Sequence, residues 1–121
     1  MTNHGFEMLP HTADTRMKVW GKKLEELFRN ALRGMAFYLK PESLELPRKI
    51  KQKIKIEAVD INSLLVEFLS GVIAQSDIKN VIFSDAKFKE FGDNFLEGTL
   101  WGSKSEGGFD KEIKAVSYYE V

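Results

Sequence analysis

Two histidines and no cysteine limit the side-chain chemistry open to this chain. One histidine, His11, opens the run His11-Thr12-Ala13-Asp14, which lies between two strand-like stretches. An aspartate in a turn between strands commonly bonds its own neighbouring amides. The same carboxylate is also a ligand for a hard cation. Calcium takes about six to eight oxygens and magnesium six, so Asp14 would need help from distant carboxylates, backbone carbonyls or water. Asp85, Asp110 and Glu120 are candidates that spacing does not rank. His11 is either a general base or ligand, or an imidazole held by a backbone carbonyl. The absence of cysteine excludes thiolate zinc sites and a cysteine nucleophile. None of the serines lies in a G-x-S-x-G elbow, and no P-loop, G-x-G-x-x-G or H-E-x-x-H occurs. The residues alone make no positive case for an enzyme.

Lys49, Lys51, Lys53 and Lys55 form the sharpest charge feature. On a strand, alternate residues repeat at roughly 6.6–6.8 Å along one face. Such a ladder suits a phosphate backbone or an acidic partner; it equally suits a solvated outer face or the guarded edge of a sheet. The chain as a whole carries 18 Lys and Arg against 18 Asp and Glu. A sequence-independent nucleic-acid binder usually has a basic excess, so strong autonomous RNA or DNA binding is not expected.

The 121 residues fit one domain spanning 1–121, and nine phenylalanines supply a core that needs no disulfide. The N-terminal MTNHGFEMLPH lacks the apolar segment of a signal peptide. No run approaches the ~18 apolar residues of a membrane helix. A cytoplasmic protein without membrane association is expected.

These residues are placed by a readable series of elements. Phe6–Leu9 reads as a short strand ended by Pro10, and Thr15–Trp20 as a half-buried strand with Met17 and Val19 on one side. Leu24, Leu27, Phe28, Ala31, Leu32, Met35 and Ala36 make one helical stripe. Glu25 and Glu26 favour its first turn, Gly34 weakens it, and Pro41 stops it near residues 38–40. Arg48–Ala58 alternates, with Ile50, Gln52, Ile54 and Ile56 opposite the lysines. Asp60 is a candidate N-cap for a second helix with the stripe Ile61, Leu64, Leu65, Phe68, Leu69, Val72 and Ile73. Val81–Phe91 is a strand whose apolar parity changes near Ser84-Asp85, which predicts a bulge. Gly92-Asp93-Asn94 turns it into a hairpin with Phe95–Gly102. A loop over Ser103–Gly108 leads to a closing strand, Glu112–Val121, apolar on both parities. Two helices cannot cover both faces of so large a sheet. The expected fold is therefore α+β: a two-layer sandwich of mostly antiparallel sheet, with both helices on one face.

The pattern Phe6-Glu7, His11-Thr12-Ala13-Asp14, Trp20-Gly21, Leu24-Glu25-Glu26, Phe28 and Asn30-Ala31 resembles the N-terminal half of the archease family. The second helix, Asp60 to Leu69, and the block Glu112-Ile113-Lys114-Ala115-Val116-Ser117-Tyr118 extend the resemblance over nearly the whole chain. It implies a small accessory protein that activates a GTP-dependent tRNA-splicing RNA ligase by promoting its guanylylation and multiple turnover. It implies a fold in which one strand-helix-strand-strand module is inserted in another. It also implies a divalent cation, calcium before magnesium or manganese, held by Asp14. Lys114 matches the lysine of the C-terminal block, so His11, Asp14 and Lys114 form the implied ligase-activation surface, with RNA engaged only through the ligase. Two departures stand out: Tyr119 follows the tyrosine of the last block, and family members continue into a further strand whose acidic residue completes the cation site, where this sequence ends at Val121. Two rival readings are a small metal-dependent hydrolase using Asp14, His11 and Lys114, and a protein-folding modulator.

Overall fold

A computed structural model of the protein describes residues 5–9, 16–105, 108–109, 111, 113 and 116. Two short strands open the chain, β1 (Phe6–Leu9) and β2 (Arg16–Val19). They pair antiparallel, with Phe6 opposite Val19 and Leu9 opposite Arg16. Helix α1 (Leu24–Leu39) follows, then a 3-10 turn over Pro41–Glu45 that the sequence pattern did not announce. Strand β3 (Ile50–Glu57), helix α2 (Ile61–Lys79), and the hairpin of β4 (Val81–Phe91) and β5 (Phe95–Lys104) complete the described elements. The three later strands form an antiparallel sheet in the order β3-β5-β4. The described strands thus divide into two antiparallel sheets, and both helices bury their apolar stripes against one face of the larger. The α+β expectation holds. Among the described residues no helix is long and apolar enough to cross a membrane.

Each helix ends where its chemistry dictates. Glu26 at α1 reaches back to accept the Lys22 N–H at 2.9 Å, using one of the amides that a helix start leaves unbonded. Pro41 blocks continuation at the other end, and the Lys40 N–H bonds the Ala36 carbonyl. Asp60 caps α2 as expected, accepting from the Ser63 N–H at 2.8 Å, and that bond leads the interactions holding its carboxyl below the ordinary range. The apolar stripe ended at Ile73, but α2 continues to Lys79. It stops at Asn80, which takes the left-handed conformation that asparagine tolerates. The Lys79 ammonium then donates to the side-chain carbonyl of Gln52. This bond explains a polar residue among the isoleucines on the inner face of β3.

The core is built mainly from α1, α2 and the inner face of the β3-β5-β4 sheet. Leu32, Leu64, Phe68, Leu96 and Leu100 are completely shielded from solvent. Phe28 stacks edge-on against Phe91 with centroids 4.9 Å apart and lies 5.7 Å from Phe68, while Phe88 contacts both Phe68 and Phe91. The outlier is Leu24, which belongs to the expected stripe but sits in the first turn of α1 and stays exposed. The predicted bulge falls between Phe83 and Asp85, and a second one, not anticipated, falls between Phe88 and Glu90. Together they return Ala86, Phe88 and Phe91 to the core side after the parity change. Gly98 lies opposite Phe88 between these bulges, and a side chain there would strike the Lys87 carbonyl. Strand β5 also runs beyond the expected Gly102 to Lys104, because Ser103 and Lys104 still pair with Ile82 and Val81. The expected closing strand, Glu112–Val121, lies largely outside the described residues. Its Ile113 and Val116 pack against the core cluster.

Candidate functional site

His11 and Asp14 belong to residues 10–15, which connect β1 to β2 and lie outside the described residues, as does Lys114. What the structure describes is the scaffold from which that connection starts and to which it returns. The β1–β2 pair is closed on itself by one bond and fastened to α1 at two points. The Trp20 N–H donates to the Gly5 carbonyl at 3.0 Å. The buried Asn30 amide, on α1, donates to the Trp20 carbonyl at 2.8 Å. Gly34 lies under Phe6 and Met17, so closely that a Cβ there would overlap the Met17 sulfur and the Phe6 ring.

Asn30 and Gly34 therefore have roles that pattern reading did not assign. A buried polar side chain needs a partner, so an asparagine at the edge of an apolar helical stripe was a usable signal for Asn30. Gly34 reads in sequence only as a weak point of the helix. In the structure it permits close packing of strand pair on helix, which outweighs its low helix propensity of about 1 kcal/mol. Gly34→Val is expected to destabilise the chain by about 2 kcal/mol or more, because a Cβ there lies 2.9 Å from Cγ and 3.1 Å from Cβ of Phe6, atoms that cannot move without the strand backbone. Thermal unfolding measures this, and a melting temperature equal to wild type would show that the strand pair is not anchored there.

Asp85 offers a described test of the carboxylates considered as cation ligands. It forms a two-pronged bridge with Arg29 of α1, at 2.9 Å from Nε and 3.1 Å from Nη2, and it also accepts the Ala86 N–H at 2.9 Å. Burial pushes its pKa up, but the Arg29 and Ala86 bonds outweigh this and hold the carboxyl below its usual range. Donating to the Asp85 carboxylate in turn raises the pKa of Arg29. Asp85 is thus committed to joining α1 to β4 at the first bulge. Asp60 is committed to its cap, and among the described residues no group of three or more His, Asp or Glu side chains is placed to hold a metal ion. Asp110 and Glu120 lie outside the described residues.

The Arg29–Asp85 bridge has a pH signature. A carboxyl whose pKa is depressed in the folded state contributes stability that is fully present above its unfolded pKa of about 3.9. That contribution is lost as the pH falls through the lower folded value. Asp85→Asn is expected to cost about 1 kcal/mol at neutral pH, given the partial exposure of the bridge. The difference from wild type should shrink as acid protonates Asp85, and denaturant melts at pH 7 and pH 2.5 provide the measurement.

The lysine ladder is a strand face for three of its four members, Lys49 lying just before β3. Lys51, Lys53 and Lys55 point outward from β3, an edge of the described three-stranded sheet, while Ile50, Gln52, Ile54 and Ile56 point in. Beyond β5, Gly108 and Lys111 lie against the end of α1. The Ser105 hydroxyl and Lys40 ammonium both donate to the Gly108 carbonyl, and the Lys111 ammonium sits 5.0 Å over the Tyr38 ring. Gly108 and Lys111 are therefore tied to the end of α1, and Ile113 and Val116 to the core cluster, while Lys114 itself lies outside the described residues.

Residues 6–121 match the sequence model of the archease protein family. The chain is 36% identical over 118 residues to a protein named archease from Aeropyrum pernix, covering 92% of this chain and 81% of that one. A protein of the same name from Methanothermobacter thermautotrophicus is 32% identical over 120 residues, covering 95% and 85%. One from Pyrococcus furiosus is 30% identical over 126 residues, covering 96% and 85%. Among solved structures, the fold resembles the solution structure of Methanobacterium thermoautotrophicum protein 1598. The TM-score is 0.64 and the identity 24%, over 98% of this chain and 82% of that one.

Proposed function

We propose, from the premise that this chain belongs to the archease family, that it is an accessory protein of a GTP-dependent tRNA-splicing RNA ligase. In this reading it promotes guanylylation of the ligase histidine and so lets the ligase turn over repeatedly, in the cytoplasm and without chemistry of its own. The observation that carries the reading is the family match, whose range of residues 6–121 includes His11-Thr12-Ala13-Asp14 and the block containing Lys114. The described scaffold fits it. The residues that match the family outside those blocks fasten the β1–β2 pair: Phe6 packs on Gly34, and Asn30 bonds Trp20. A connection held at both ends by such anchors is a suitable place to present a polar surface to a partner.

Asp14 serves as a ligand for a divalent cation, with calcium the first candidate, and His11 orders the same stretch. The cation, when bound, adds positive charge to the surface that meets the ligase. Since neither Asp85 nor Asp60 is free, the remaining oxygens come from elsewhere than these two carboxylates. Lys114 stands in the same surface as an ammonium available to Asp14 or to phosphate groups of the ligase-bound nucleotide.

The deciding experiment is exon ligation by the cognate ligase with and without this chain. Addition should raise the number of joined products per ligase molecule well above the single round that the ligase completes alone. Equal product with and without the chain overturns the reading.

A further inference from the structure

The outer face of the β3-β5-β4 sheet has an organisation that the ligase role does not use. Its central strand, β5, presents Phe95, Glu97, Thr99 and Trp101, all partly exposed. On one side β3 places Lys51 opposite Trp101, Lys53 opposite Thr99 and Lys55 opposite Glu97. On the other side β4 places Lys87 opposite Thr99, and Lys89 lines the same shallow depression as Lys53, Lys55 and Thr99. The Lys51 ammonium sits 5.1 Å over the Trp101 ring, and that of Lys55 5.9 Å over Phe95. Neighbouring strands lie about 4.8 Å apart, so Phe95, Glu97, Thr99 and Trp101 run between the lysine row of β3 and, on β4, Lys87 and Lys89, with Asp85 opposite Trp101 and Glu90 opposite Glu97. At the hairpin end the charge reverses, with Glu57, Glu90 and Asp93 exposed.

We infer that this face binds single-stranded RNA directly, with Lys51, Lys53 and Lys55 on phosphates and Trp101 stacked on a base. The lysines repeat at roughly 6.6–6.8 Å along β3, which lets one row follow successive phosphates of an extended strand. Bases then fall inward over β5, where aromatic rings give the sequence-tolerant stacking typical of single-strand binders. Glu97 supports this orientation. Its carboxylate repels phosphate from the centre of the face yet accepts hydrogen bonds from base amino groups. An acidic polypeptide would be met by the lysines but repelled by Glu97, and would make no use of the rings. A duplex hides its base faces and is excluded from stacking on Trp101. Zero net charge over the chain keeps the contact weak and local. The expected dissociation constant is about 10–100 μM at physiological salt.

The test uses the full chain with Trp20→Phe, leaving Trp101 as the only tryptophan, and a twelve-nucleotide mixed-sequence RNA without ligase. Binding should quench Trp101 fluorescence. With about three phosphates neutralised, the logarithm of affinity should fall with the logarithm of salt at a slope near −2. Replacing Lys51, Lys53 and Lys55 together by Gln, on an exposed face that does not enter the core, should weaken binding at least tenfold and flatten the slope. Trp101→Leu, read by the anisotropy of the same RNA carrying a fluorescein label because no tryptophan remains, should weaken it about tenfold while leaving the slope unchanged. An absent quench, equal binding of duplex RNA or of polyglutamate, or unaltered affinity in the lysine variant each overturns the inference. Circular dichroism of each variant separates a lost site from a lost fold. Because no ligase is present, failure here leaves the proposed ligase role standing, and failure of ligase activation leaves this surface standing.

Discussion

Phe28→Ala is expected to lower the stability of the chain by about 3–5 kcal/mol, against a total of about 5–15 kcal/mol for a typical domain. Phe28 is 1% exposed and sits where α1, α2 and β4 meet. Its ring touches Phe91 edge-on and lies beside Phe68, and those rings share Phe88 as a neighbour. Truncation removes the ring's buried area, opens a cavity bounded by elements that cannot all move in, and deprives two aromatic partners of favourable geometry. The melting temperature should fall by roughly 10–20 °C. Phe37 supplies the internal control. It lies on the same helix and touches Phe6 at 5.8 Å, but it is 39% exposed, so Phe37→Ala should cost far less. Paired thermal melts decide the matter: equal losses from the two variants would mean that the aromatic cluster is not the centre of the core.

That cluster shows why much of the fold was legible in sequence. The helical stripes of α1 and α2 are long and clean, and each ends at chemistry that can be read directly, Pro41 for one and the Asp60 cap for the other. The strict alternation of β3 fixed which side is buried, since shifting a strand by one residue would turn its lysines inward. A change of apolar parity was enough to locate the first bulge. The misses share a different origin. The extension of α2 to Lys79 depends on Asn80 adopting a left-handed conformation, and the extension of β5 depends on partners in β4. The second bulge at Phe88/Glu90 and the role of Gly34 are likewise set by what lies across the contact. Such features follow from tertiary neighbours, and local pattern carries little trace of them.

The candidate site divides along the same line. Asp85 looked as available as any carboxylate in the sequence, because nothing in its local context reveals Arg29, which is far away along the chain. Conversely, the lysines of β3 were legible as a row, but the rings beside them were not, since the match of Lys51 to Trp101 exists only through the β3–β5 register. Motif resemblance supplied His11, Asp14 and Lys114 by a separate route, through their order along the chain.

Asp14→Ala is the variant expected to have the largest functional effect: a folded protein that has lost most of its ability to activate the ligase, by tenfold or more in turnovers. Folding should survive because the anchors of the β1–β2 pair are Phe6, Met17, Gly34 and the Asn30–Trp20 bond, none of which involves residue 14. A turn role alone would give the opposite pattern, a stability loss of about 1 kcal/mol with activation retained. Asp14→Asn sharpens the contrast, since asparagine keeps the local hydrogen-bonding habits of aspartate in turns but not its charge. If Asp14 holds a divalent cation, the Asn variant should be nearly as inactive as the Ala variant, and chelator should depress activation by the wild type while leaving both variants where they are. Melting curves recorded on the same samples keep fold and function apart. Full activation by a folded Asp14→Ala protein would remove Asp14 from the activating surface.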